Sequence, residues 1–462
     1  MTFFFETYGC QMNLAESAAL KNTLLNSHWS EQALTSLTHS NDPSFENIAL
    51  IPDLIIINTC SVRITAEQRV LGRLQFYSAL KKTVLTHGKK IFVLVTGCMA
   101  DRLGSALIEK GADYILSTQK KQLFPSILCE IEEIDKIDEI NQIDKTAPDK
   151  FIFAPSYFTS CGNDVKFRAF VPIMHGCNNF CSYCIVPYVR GPEVSRPPNE
   201  ILSEIKFLSD NGIKEITLLG QNVNSYLWED IDFAILLEMI AEYIEKHSGS
   251  IEWVRFLSSH PKDLTIKTIK IMSANKIFAK HLHLCVQHGS NKILQAMNRG
   301  YNRQEYLNLV WQIRDAMPQI SLSTDILVGF PGETEDDFKE VLSLMESVRF
   351  LYSYMYHYNP REGTASFEMS GRIDEKIKIE RLKRVINLQQ EHTQHALNLR
   401  INCTEKVLVE NISRNNKNQL VCRSERDESV IAEGSADLIG TFKNVKIQSA
   451  KGNTLRGTFL CN

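Results

Sequence analysis

The 462-residue sequence contains no long hydrophobic run and very little net charge. Its longest aliphatic stretch, from Ile48 to Ile57, is interrupted by Pro52 and Asp53, so we expect no segment to cross a membrane. The N-terminus also lacks the basic residues and the long apolar segment of a secretory signal peptide. We therefore expect a cytoplasmic protein. The formal net charge of −3 does not indicate a nucleic-acid partner, although a local basic face would be sufficient to bind one.

The composition is ordinary except for the cysteines. Hydrophobic residues make up 44% and charged residues 23% of the chain, as is typical of soluble globular proteins, and the length suggests about two to four domains. The twelve cysteines do not indicate a disulfide framework, because a chain of this size without a secretion signal is not expected to be stabilised by disulfides. Ligation of a metal or a cluster is the better expectation for those cysteines that lie in tight motifs.

Three cysteines, Cys177, Cys181 and Cys184, have the spacing C-x3-C-x2-C. Three thiolates this close together can hold three irons of a [4Fe–4S] cluster and leave the fourth iron open to bind a ligand. The alternative is a zinc site. Zinc sites usually combine two cysteine or histidine pairs, however, and the only nearby candidate is His175, which precedes the first cysteine. The spacing therefore predicts a cluster that carries out chemistry.

This motif, with the aromatic Tyr183 directly before its last cysteine, resembles the radical S-adenosylmethionine (SAM) superfamily. The resemblance implies that the open iron binds the amino and carboxylate groups of SAM. It also implies that an electron from the cluster cleaves SAM to a 5′-deoxyadenosyl radical, and that Tyr183 packs near the adenine.

Residues 1–130 alternate between apolar, strand-like runs and helical stretches. This alternation predicts a parallel α/β sheet with helices on its faces. The predicted strands are Thr2–Thr7, Asp53–Asn58, Lys90–Val95 and Asp113–Leu116, and the predicted helices are Leu14–Leu25, Ser61–Lys82, Asp101–Glu109 and Lys121–Glu130.

Three further cysteines, Cys10, Cys60 and Cys98, each follow a predicted strand and precede a predicted helix. The carboxyl ends of parallel strands share one edge of a sheet, where ligands collect, so these thiols are expected to converge. The alternative is that each cysteine is a small buried apolar residue, which is the commonest role of a cysteine without a disulfide. Because all three occur at the same structural place, the pattern favours a second cluster.

Residues 131–162 begin with several acidic residues and are predicted to form a linker. In residues 163–395, strand-like runs and helical stretches alternate again. Six strand–helix units predict a partial parallel barrel, with the Cys177 motif at its C-terminal mouth. The predicted strands are Phe167–Met174, Glu215–Leu219, Glu252–Leu257, His281–Val286, Ile320–Val328 and Leu351–His357. Predicted helices include Asn199–Asn211, Ile231–His247, Gln304–Met317 and Glu335–Val348, and a charged helix follows from Glu375 to about Arg400.

Polar and glycine-containing segments follow several of these barrel strands, at the predicted mouth. Each alone is no more than a tight turn, but their repetition at one mouth predicts a ligand pocket. The residues predicted to line the SAM pocket, together with Tyr183, are Gln221, Asn222, Ser259, Gly329 and Glu333.

Residues 396–462 contain five short strand-like runs separated by polar turns, which predicts a small β-barrel. Four basic residues lie late in this segment, at Lys443, Lys446, Lys451 and Arg456. They favour contact with RNA phosphates, although an ordinary solvated surface would have the same composition.

The three parts together resemble the radical SAM methylthiotransferases, and within them the MiaB-like tRNA enzymes, from Tyr8 to Leu460. The C-terminal barrel looks like a TRAM domain, an RNA-contacting module. The motifs that carry the resemblance are Tyr8–Asn13, Asn58–Arg63, Gly97–Ala100, Gly176–Gly191, Leu219–Asn224 and Gly329–Glu333.

This resemblance implies two [4Fe–4S] clusters, an auxiliary one on Cys10, Cys60 and Cys98 and a SAM-cleaving one on the Cys177 motif. The implied reaction inserts a methylthio group at C2 of an N6-isopentenyladenosine beside the anticodon of tRNA. One SAM methylates sulfur held at the auxiliary cluster, and another yields the radical that removes the C2 hydrogen. Further expectations are an electron donor such as flavodoxin or ferredoxin and a monomeric enzyme.

The sequence departs from the family pattern at Cys285, where the family usually has proline, and at His288, where it usually has serine. The stretch Val409–Ser413 also lacks a glycine that is usual in TRAM domains. Other cysteines match no motif and are most simply structural, at Cys129, Cys161, Cys403, Cys422 and Cys461.

Three alternative functions are open. Related methylthiotransferases modify threonylcarbamoyladenosine in tRNA or an aspartate of a ribosomal protein. Gln11 and Met12 favour the isopentenyl enzymes, since the threonylcarbamoyl group tends to have Lys-Val there. The third alternative, a two-cluster electron-transfer or RNA-binding protein without turnover, would not need a SAM pocket.

Overall fold

The computed structural model describes residues 1–32, 51–61, 64–134, 167–247 and 249–460. These residues form two compact units. The first unit contains the described residues up to 134 together with His175–Asn178 and Ile185–Val194, and the second contains the remaining described residues. No described helix is both long and apolar enough to cross a membrane.

The first unit is a five-stranded sheet in the order β2-β1-β3-β4-β5, and all of its pairs are parallel. Its strands are β1 (Thr2–Thr7), β2 (Ser30–Glu31), β3 (Leu54–Thr59), β4 (Phe92–Gly97) and β5 (Tyr114–Leu116). Its helices are α1 (Gln11–Asn26), α2 (Ile64–Leu85), α3 (Cys98–Leu103), α4 (Ala106–Glu109), α5 (Phe124–Ile134) and α6 (Val186–Arg190), with a 3-10 turn at Lys121–Leu123.

The central strands β3 and β4 are buried along their whole length. Ile55 and Ile57 pack on one face of the sheet with residues of α2, whereas Leu54 and Ile56 pack on the other face with residues of α1 and α5. Burial on both faces explains why these strands are continuous aliphatic runs rather than alternating ones.

The second unit contains a parallel barrel that is closed only in part. Its first three strands form a sheet in the order β12-β9-β6, and the next three form a sheet in the order β13-β14-β15. These six strands are β6 (Arg168–Pro172), β9 (Glu215–Leu219), β12 (Trp253–Phe256), β13 (His281–His283), β14 (Ser321–Val328) and β15 (Tyr352–His357). Short strands between them are β7 (Met174–His175), β8 (Val194–Ser195), β10 (Leu227–Trp228) and β11 (Ile231–Asp232).

Helices follow the barrel strands and cover their outer face. Single bridges, Val254 to Phe278 and Ser259 to Leu284, join the two sheets. The helices are α7 (Pro198–Asp210), α8 (Phe233–His247), α9 (Ile266–Ala274), α10 (Asn291–Ala296), α11 (Arg303–Ala316), α12 (Glu335–Val348) and α13 (Glu375–Asn398).

A closed five-stranded barrel ends the second unit, in the order β16-β17-β18-β20-β19. Its strands are β16 (Thr404–Ser413), β17 (Asn416–Ser424), β18 (Ser429–Glu433), β19 (Phe442–Lys451) and β20 (Thr454–Phe459). The end of β17 and the turn that follows it contact two of the parallel strands, β12 and the first residue of β15. Arg255 Nη2 donates to the Ser424 carbonyl at 2.8 Å, and the Tyr352 hydroxyl donates to Asp427 Oδ2 at 2.7 Å. The small barrel is therefore fixed to the end of the parallel barrel opposite its mouth.

The α/β class, the partial barrel and the small C-terminal β-barrel predicted from the sequence are confirmed. The differences between the predicted and the observed elements concern the ends and breaks of single helices. Helix α1 begins at Gln11, three residues before the predicted start, because Cys10 is its N-cap and its N–H donates to Asn13 Oδ1 at 3.2 Å. The helix predicted at Asp101–Glu109 is divided at Gly104, which has φ of +49°. The predicted linker lies outside the described residues except for 131–134.

Candidate active site

Cys10, Cys60 and Cys98 lie at the carboxyl ends of three neighbouring strands. Cys60 directly follows β3, Cys98 directly follows β4, and Cys10 comes three residues after β1. Because β1, β3 and β4 are adjacent and parallel, the three cysteines share one edge of the sheet, as the alternation predicted.

Glycines allow the chain to turn directly before two of these cysteines. Gly97 has φ of +91°, and a Cβ added there would lie 2.2 Å from the Thr59 carbonyl oxygen. Gly9 has φ of +151°, and its Cβ would lie 2.3 Å from Asn13 Oδ1. Since a side chain fits at neither position, glycine is required for the strand ends to approach each other.

A pair of buried asparagines connects the Cys10 and Cys60 segments. Asn13 Nδ2 donates to Asn58 Oδ1 at 2.9 Å and to the Thr59 carbonyl at 3.0 Å, and Asn58 Nδ2 donates to the Asn13 carbonyl at 2.9 Å. Both side chains are fully buried. Hydrogen bonds that satisfy buried amides hold the two segments in one arrangement, which preorganises the positions of the two thiols.

Arg190 places a buried positive charge beside Cys98. Its Nε donates to Cys98 Sγ at 3.2 Å, and its Nη1 donates to Glu16 Oε1 at 2.8 Å. Lys121 Nζ lies 2.8 Å from the same carboxylate oxygen, so one acid is shared by two cations. Burial alone raises the pKa of Glu16, but Arg190 and Lys121 outweigh it and lower this pKa to about 2.

Arg190 also affects the pKa of the Cys98 thiol. Burial raises the pKa of Cys98 to about 11, and the charge of Arg190 acts in the opposite direction. A guanidinium at this distance favours a thiolate, which is the form that ligates iron. Sequence reasoning did not assign Arg190, Glu16 or Lys121, because they are far apart in the chain and belong to no shared motif.

Within the first unit, the backbone around Cys177 is held by residues 191–193, which follow helix α6. Its N–H donates to the Gly191 carbonyl at 3.2 Å. The next residue, Asn178, exchanges two hydrogen bonds with Glu193, each of 3.1 Å. Gly176 has φ of +77°, and a Cβ there would lie 1.9 Å from the Pro192 carbonyl oxygen, so only glycine fits directly before Cys177.

Cys181 and Cys184 belong to the second unit and are joined by a backbone hydrogen bond of 2.9 Å, from Cys184 N–H to the Cys181 carbonyl. Arg299 Nη1 lies 3.1 Å from Cys181 Sγ, so this thiol also has a buried cation beside it. Ser182 Oγ donates to the Ala296 carbonyl at 2.8 Å, which fixes the loop to the end of α10. Sequence reasoning missed Arg299.

Tyr183, which the resemblance places near the adenine of SAM, packs against apolar residues of the second unit. It contacts a buried apolar cluster that includes Phe330 and Tyr358, and its hydroxyl lies 3.5 Å from Arg299 Nη1. Phe330 belongs to the predicted Gly329–Glu333 segment. The structure therefore brings Tyr183 and this segment together.

Several buried polar atoms in the segments after β9 and β12 have no hydrogen-bond partner among the described residues. They are Gln221 Oε1, Ser259 Oγ, His260 Nε2 and both amide atoms of Asn224. Buried polar atoms without partners are costly unless a ligand or water satisfies them. This set therefore fits a bound molecule with several polar groups, as SAM has.

Two predicted pocket residues are engaged within the protein itself. Asn222 Nδ2 donates to Asp263 Oδ2 at 2.7 Å, and Asn222 Oδ1 accepts from the His260 N–H at 3.3 Å. Glu333 Oε2 accepts from the N–H groups of Gly329 and Phe330 at 2.6 and 3.1 Å. The geometry of Asn222 and Glu333 thus shapes the segments that carry the pocket, and their direct contact with SAM stays a prediction.

Three family models match consecutive parts of the chain. Residues 2–117 match the model described as Uncharacterized protein family UPF0004, residues 171–345 match the Radical SAM superfamily, and residues 401–460 match the TRAM domain. The radical SAM match covers the Cys177 motif, and the superfamily implies a [4Fe–4S] cluster and SAM.

Similar curated proteins span the full length of the chain. A tRNA-2-methylthio-N(6)-dimethylallyladenosine synthase from Treponema denticola is 47% identical and covers 99% of both chains. Proteins with the same name from Treponema pallidum and Syntrophus aciditrophicus are 44% and 39% identical, covering 99% of this chain and 98% and 94% of theirs.

Solved structures share the fold at low identity. The radical SAM methyltransferase TsrM from Kitasatospora setae is 13% identical, with a TM-score of 0.56 over 79% of this chain and 77% of its own. The cobalamin-dependent radical SAM enzyme OxsB has a TM-score of 0.54 and 12% identity, over 85% of this chain and 56% of its own. At these identities the likeness establishes the architecture alone.

Proposed function

The chain belongs to the family of tRNA-2-methylthio-N(6)-dimethylallyladenosine synthases, and from this membership we propose that it transfers a methylthio group to C2 of N6-isopentenyladenosine beside the anticodon of tRNA. Identity of 39–47% over nearly the whole length is the observation that carries the proposal. The C2 hydrogen offers no acid or base handle, so a radical cofactor must supply this chemistry and the protein must position it.

In this proposal Cys177, Cys181 and Cys184 hold the cluster that binds SAM. When bound, the cluster and SAM supply the radical that removes the hydrogen. Arg299 beside Cys181 stabilises the negative charge of the ligating sulfur. The unpartnered oxygen of Ser259 and nitrogen of His260 are available to bind the polar groups of SAM.

We assign the second cluster to Cys10, Cys60 and Cys98, which lie at one edge of the first unit's sheet. Three residues can hold three irons and leave one iron for a sulfur ligand. The buried charge of Arg190 supports this assignment, because a cation beside Cys98 favours the ionised sulfur that ligation needs.

For tRNA binding, the proposal relies on the basic residues of the small barrel. Lys446, Lys451 and Arg456 are exposed, and Lys443 is half-buried. Exposed cations on a TRAM-like module suit contact with RNA phosphates, which gives affinity without sequence preference. Electrons are proposed to come from a small carrier such as flavodoxin or ferredoxin, and the enzyme is proposed to act as a monomer.

Selectivity for the modified base follows from its chemistry. An isopentenyl group adds five carbons of apolar surface, worth roughly 2–4 kcal/mol when buried. A pocket that buries this group should therefore discriminate at least about tenfold against unmodified adenosine. A threonylcarbamoyl group is anionic and would need a basic partner instead. The anticodon loop is single-stranded, which lowers the cost of turning the base out of its stack.

The decisive experiment offers the purified, reconstituted enzyme three tRNAs that carry adenosine, isopentenyladenosine or threonylcarbamoyladenosine at the same position. Methylthiolation is measured by nucleoside mass spectrometry, and 5′-deoxyadenosine is measured in each reaction to show that the enzyme is active. We expect product from the isopentenyl tRNA and at least about tenfold less from the others. Product from the threonylcarbamoyl tRNA alone would replace the proposal by its nearest alternative.

A further inference from the structure

A cluster of metal-binding side chains lies inside the parallel barrel, apart from the six cysteines already assigned. His283, Cys285 and Asp325 each offer one ligand atom, and these atoms all lie within 4.8 Å of one another. The cluster belongs entirely to the second unit.

Strand register brings the three residues together. His283 and Cys285 are two residues apart along one strand direction, so their side chains point to the same face of the sheet. His283 pairs with Ser323 of the adjacent parallel strand β14, and Asp325 follows Ser323 by two residues. His283, Cys285, Ser323 and Asp325 therefore form a two-by-two patch on one face. The alternate residues Leu282, Leu284 and Val286 point to the apolar core and are fully buried.

The two nitrogens of His283 have separate environments. Nδ1 lies 2.9 Å from Ser323 Oγ, and Nε2 lies 3.7 Å from Asp325 Oδ2. A histidine that binds a metal through one nitrogen usually donates its other N–H to a polar neighbour, and Ser323 is placed to accept it. Zinc bonds of about 2.0–2.2 Å to nitrogen and oxygen place two ligands of one tetrahedral ion about 3.3–3.6 Å apart, so Nε2 and Oδ2 at 3.7 Å need to approach each other by only a few tenths of an ångström.

The Asp325 carboxylate lacks a short hydrogen bond to a nitrogen of any described residue. Its nitrogen contacts are Gln287 Nε2 at 3.4 Å and His283 Nε2 at 3.7 Å, both beyond the usual range of about 2.7–3.2 Å. The Asp325 side chain is only 25% exposed. This carboxylate is mostly removed from water, with the His283 ring and the Cys285 thiol as polar neighbours, and a cation bound among these groups would stabilise it.

An alternative use of the same residues is a hydrogen-bonded nucleophile, in which histidine activates the thiol and the acid orients the histidine. That arrangement needs the acid on the ring nitrogen remote from the sulfur. Here Nδ1 faces Ser323, whereas the acid faces Nε2. The geometry thus favours shared ligation of an ion over a proton relay.

We propose that His283, Cys285 and Asp325 bind one zinc ion, with a fourth position open to water or a lone-pair ligand. Zinc accepts nitrogen, sulfur and oxygen ligands alike, and three protein ligands with one open position are typical of zinc that binds a further molecule. Magnesium and calcium are disfavoured, because they prefer oxygen ligands only. Binding releases to solvent the proton of the Cys285 thiol and the proton that a charged His283 ring carries on its ligating nitrogen. Cys285 and Asp325 are half-buried, which leaves a route for the ion.

The site lies close to the radical cluster's ligands within this unit. Arg299 donates to the Cys285 carbonyl at 2.5 Å through Nη2 and contacts Cys181 Sγ through Nη1 at 3.1 Å. One side chain therefore connects the backbone of a proposed zinc ligand to a cluster cysteine. The proposal itself stands on the three side chains and does not depend on the reaction assigned to the enzyme.

The test uses the full-length protein after anaerobic reconstitution of its clusters. Wild type, Cys285→Ala, Asp325→Asn and the control Cys403→Ser are equilibrated with zinc and a competing chelator, and zinc and iron are counted in the same sample. Cys403 is a half-buried cysteine of the same unit that is not part of the proposed site. We expect about one zinc per chain in wild type and control, and at least about tenfold weaker binding in the other two, with iron unchanged throughout.

Zinc K-edge X-ray absorption identifies the ligands independently of iron. One sulfur and two or three nitrogen or oxygen neighbours are expected, and the sulfur should vanish in Cys285→Ala. Equal zinc in all four proteins, zinc uptake that displaces iron, or a shell of sulfur alone would each place the metal at other residues and overturn the proposal.

Discussion

At the residue scale, the first unit depends on the pairing of a few buried charges. Glu16, Lys121 and Arg190 are nearly inaccessible to solvent, and the single acid is shared by the two cations. The stability gained when such a set forms is much smaller than the stability lost when it is broken. Its formation contributes little net stability, because desolvation offsets attraction, whereas removal of the shared acid leaves two buried cations unpaired.

Glu16→Gln should therefore be strongly destabilising, because it leaves Arg190 and Lys121 without their shared acid. Breaking a buried pair costs about 3–5 kcal/mol, which corresponds to a fall in melting temperature on the order of 10 °C. Lys206→Gln is the control, since its partner Asp210 is exposed and such surface pairs are worth about 0–1 kcal/mol. Thermal unfolding of both variants measures the difference. A similar, small shift for both would show that the buried group does not stabilise this unit.

The cysteines themselves should separate into two sets. Cys177→Ala, Cys181→Ala or Cys184→Ala is expected to lose about half of the iron and all SAM cleavage, because the open iron that binds SAM is removed with the cluster. Cys60→Ala or Cys98→Ala is expected to lose about half of the iron and still cleave SAM. Iron analysis and 5′-deoxyadenosine assays measure both effects, and unchanged iron in the second set would contradict the auxiliary cluster.

At the scale of the element, the cysteine-bearing turns follow strands whose ends are in van der Waals contact. The end of β4 approaches the backbone of β3 so closely that Gly97 has no room for a side chain. Pairing in register, from Leu54 with Phe92 to Thr59 with Gly97, sets this approach. The sheet thus fixes where Cys60 and Cys98 begin their turns.

Gly97→Ala should lower stability and the iron content of the first unit. Its Cβ would meet the Thr59 carbonyl oxygen at 2.2 Å, and its φ of +91° is strained for alanine. Gly88→Ala is the matched control, because Gly88 also has positive φ, +78°, but no neighbour within 4 Å of an added Cβ. We expect the control to be destabilised by about 1–2 kcal/mol and Gly97→Ala by clearly more. Equal melting temperatures and equal iron would refute the steric argument.

At the scale of the whole molecule, the small barrel is bound to the end of the parallel barrel away from the mouth. Arg423 contacts Glu215, which is fully buried, as well as Asp427, which is half-buried. Burial raises the pKa of Glu215, but Arg423 and Arg255 outweigh it and hold this pKa below its ordinary value. Such a network anchors the small barrel to the parallel barrel.

Basic residues on the small barrel should act on tRNA affinity and leave SAM cleavage unchanged. Lys451→Glu with Arg456→Glu is expected to weaken tRNA binding, and the slope of log affinity against log salt should fall by about 0.7–0.9 for each phosphate that the variant no longer neutralises. The control is Lys206→Glu with Lys339→Glu, two exposed lysines of α7 and α12 in the same unit. Filter binding at several salt concentrations provides the measurement. An equal effect of both pairs would exclude a specific basic face.

The sequence determined the features that depend on local spacing. Alternation of apolar runs and helices predicted the parallel sheet of the first unit and the parallel barrel of the second, and the position of three cysteines just after predicted strands placed them at one edge of the sheet. The C-x3-C-x2-C spacing predicted a three-thiolate cluster site because its three residues are neighbours in the chain, and the resemblance of this motif implied the radical chemistry. These predictions succeed because hydrophobic period and turn chemistry are short-range properties.

Tertiary structure alone decided which distant side chains meet. Arg190 reaches Glu16, 174 positions away, and Asp325 reaches His283 through the pairing of β13 with β14. No local sequence pattern predicts such long-range contacts, because they follow from strand order and register. A buried charge or thiol acquires its chemistry from these neighbours, through desolvation and pairing at distances that only the assembled sheets define.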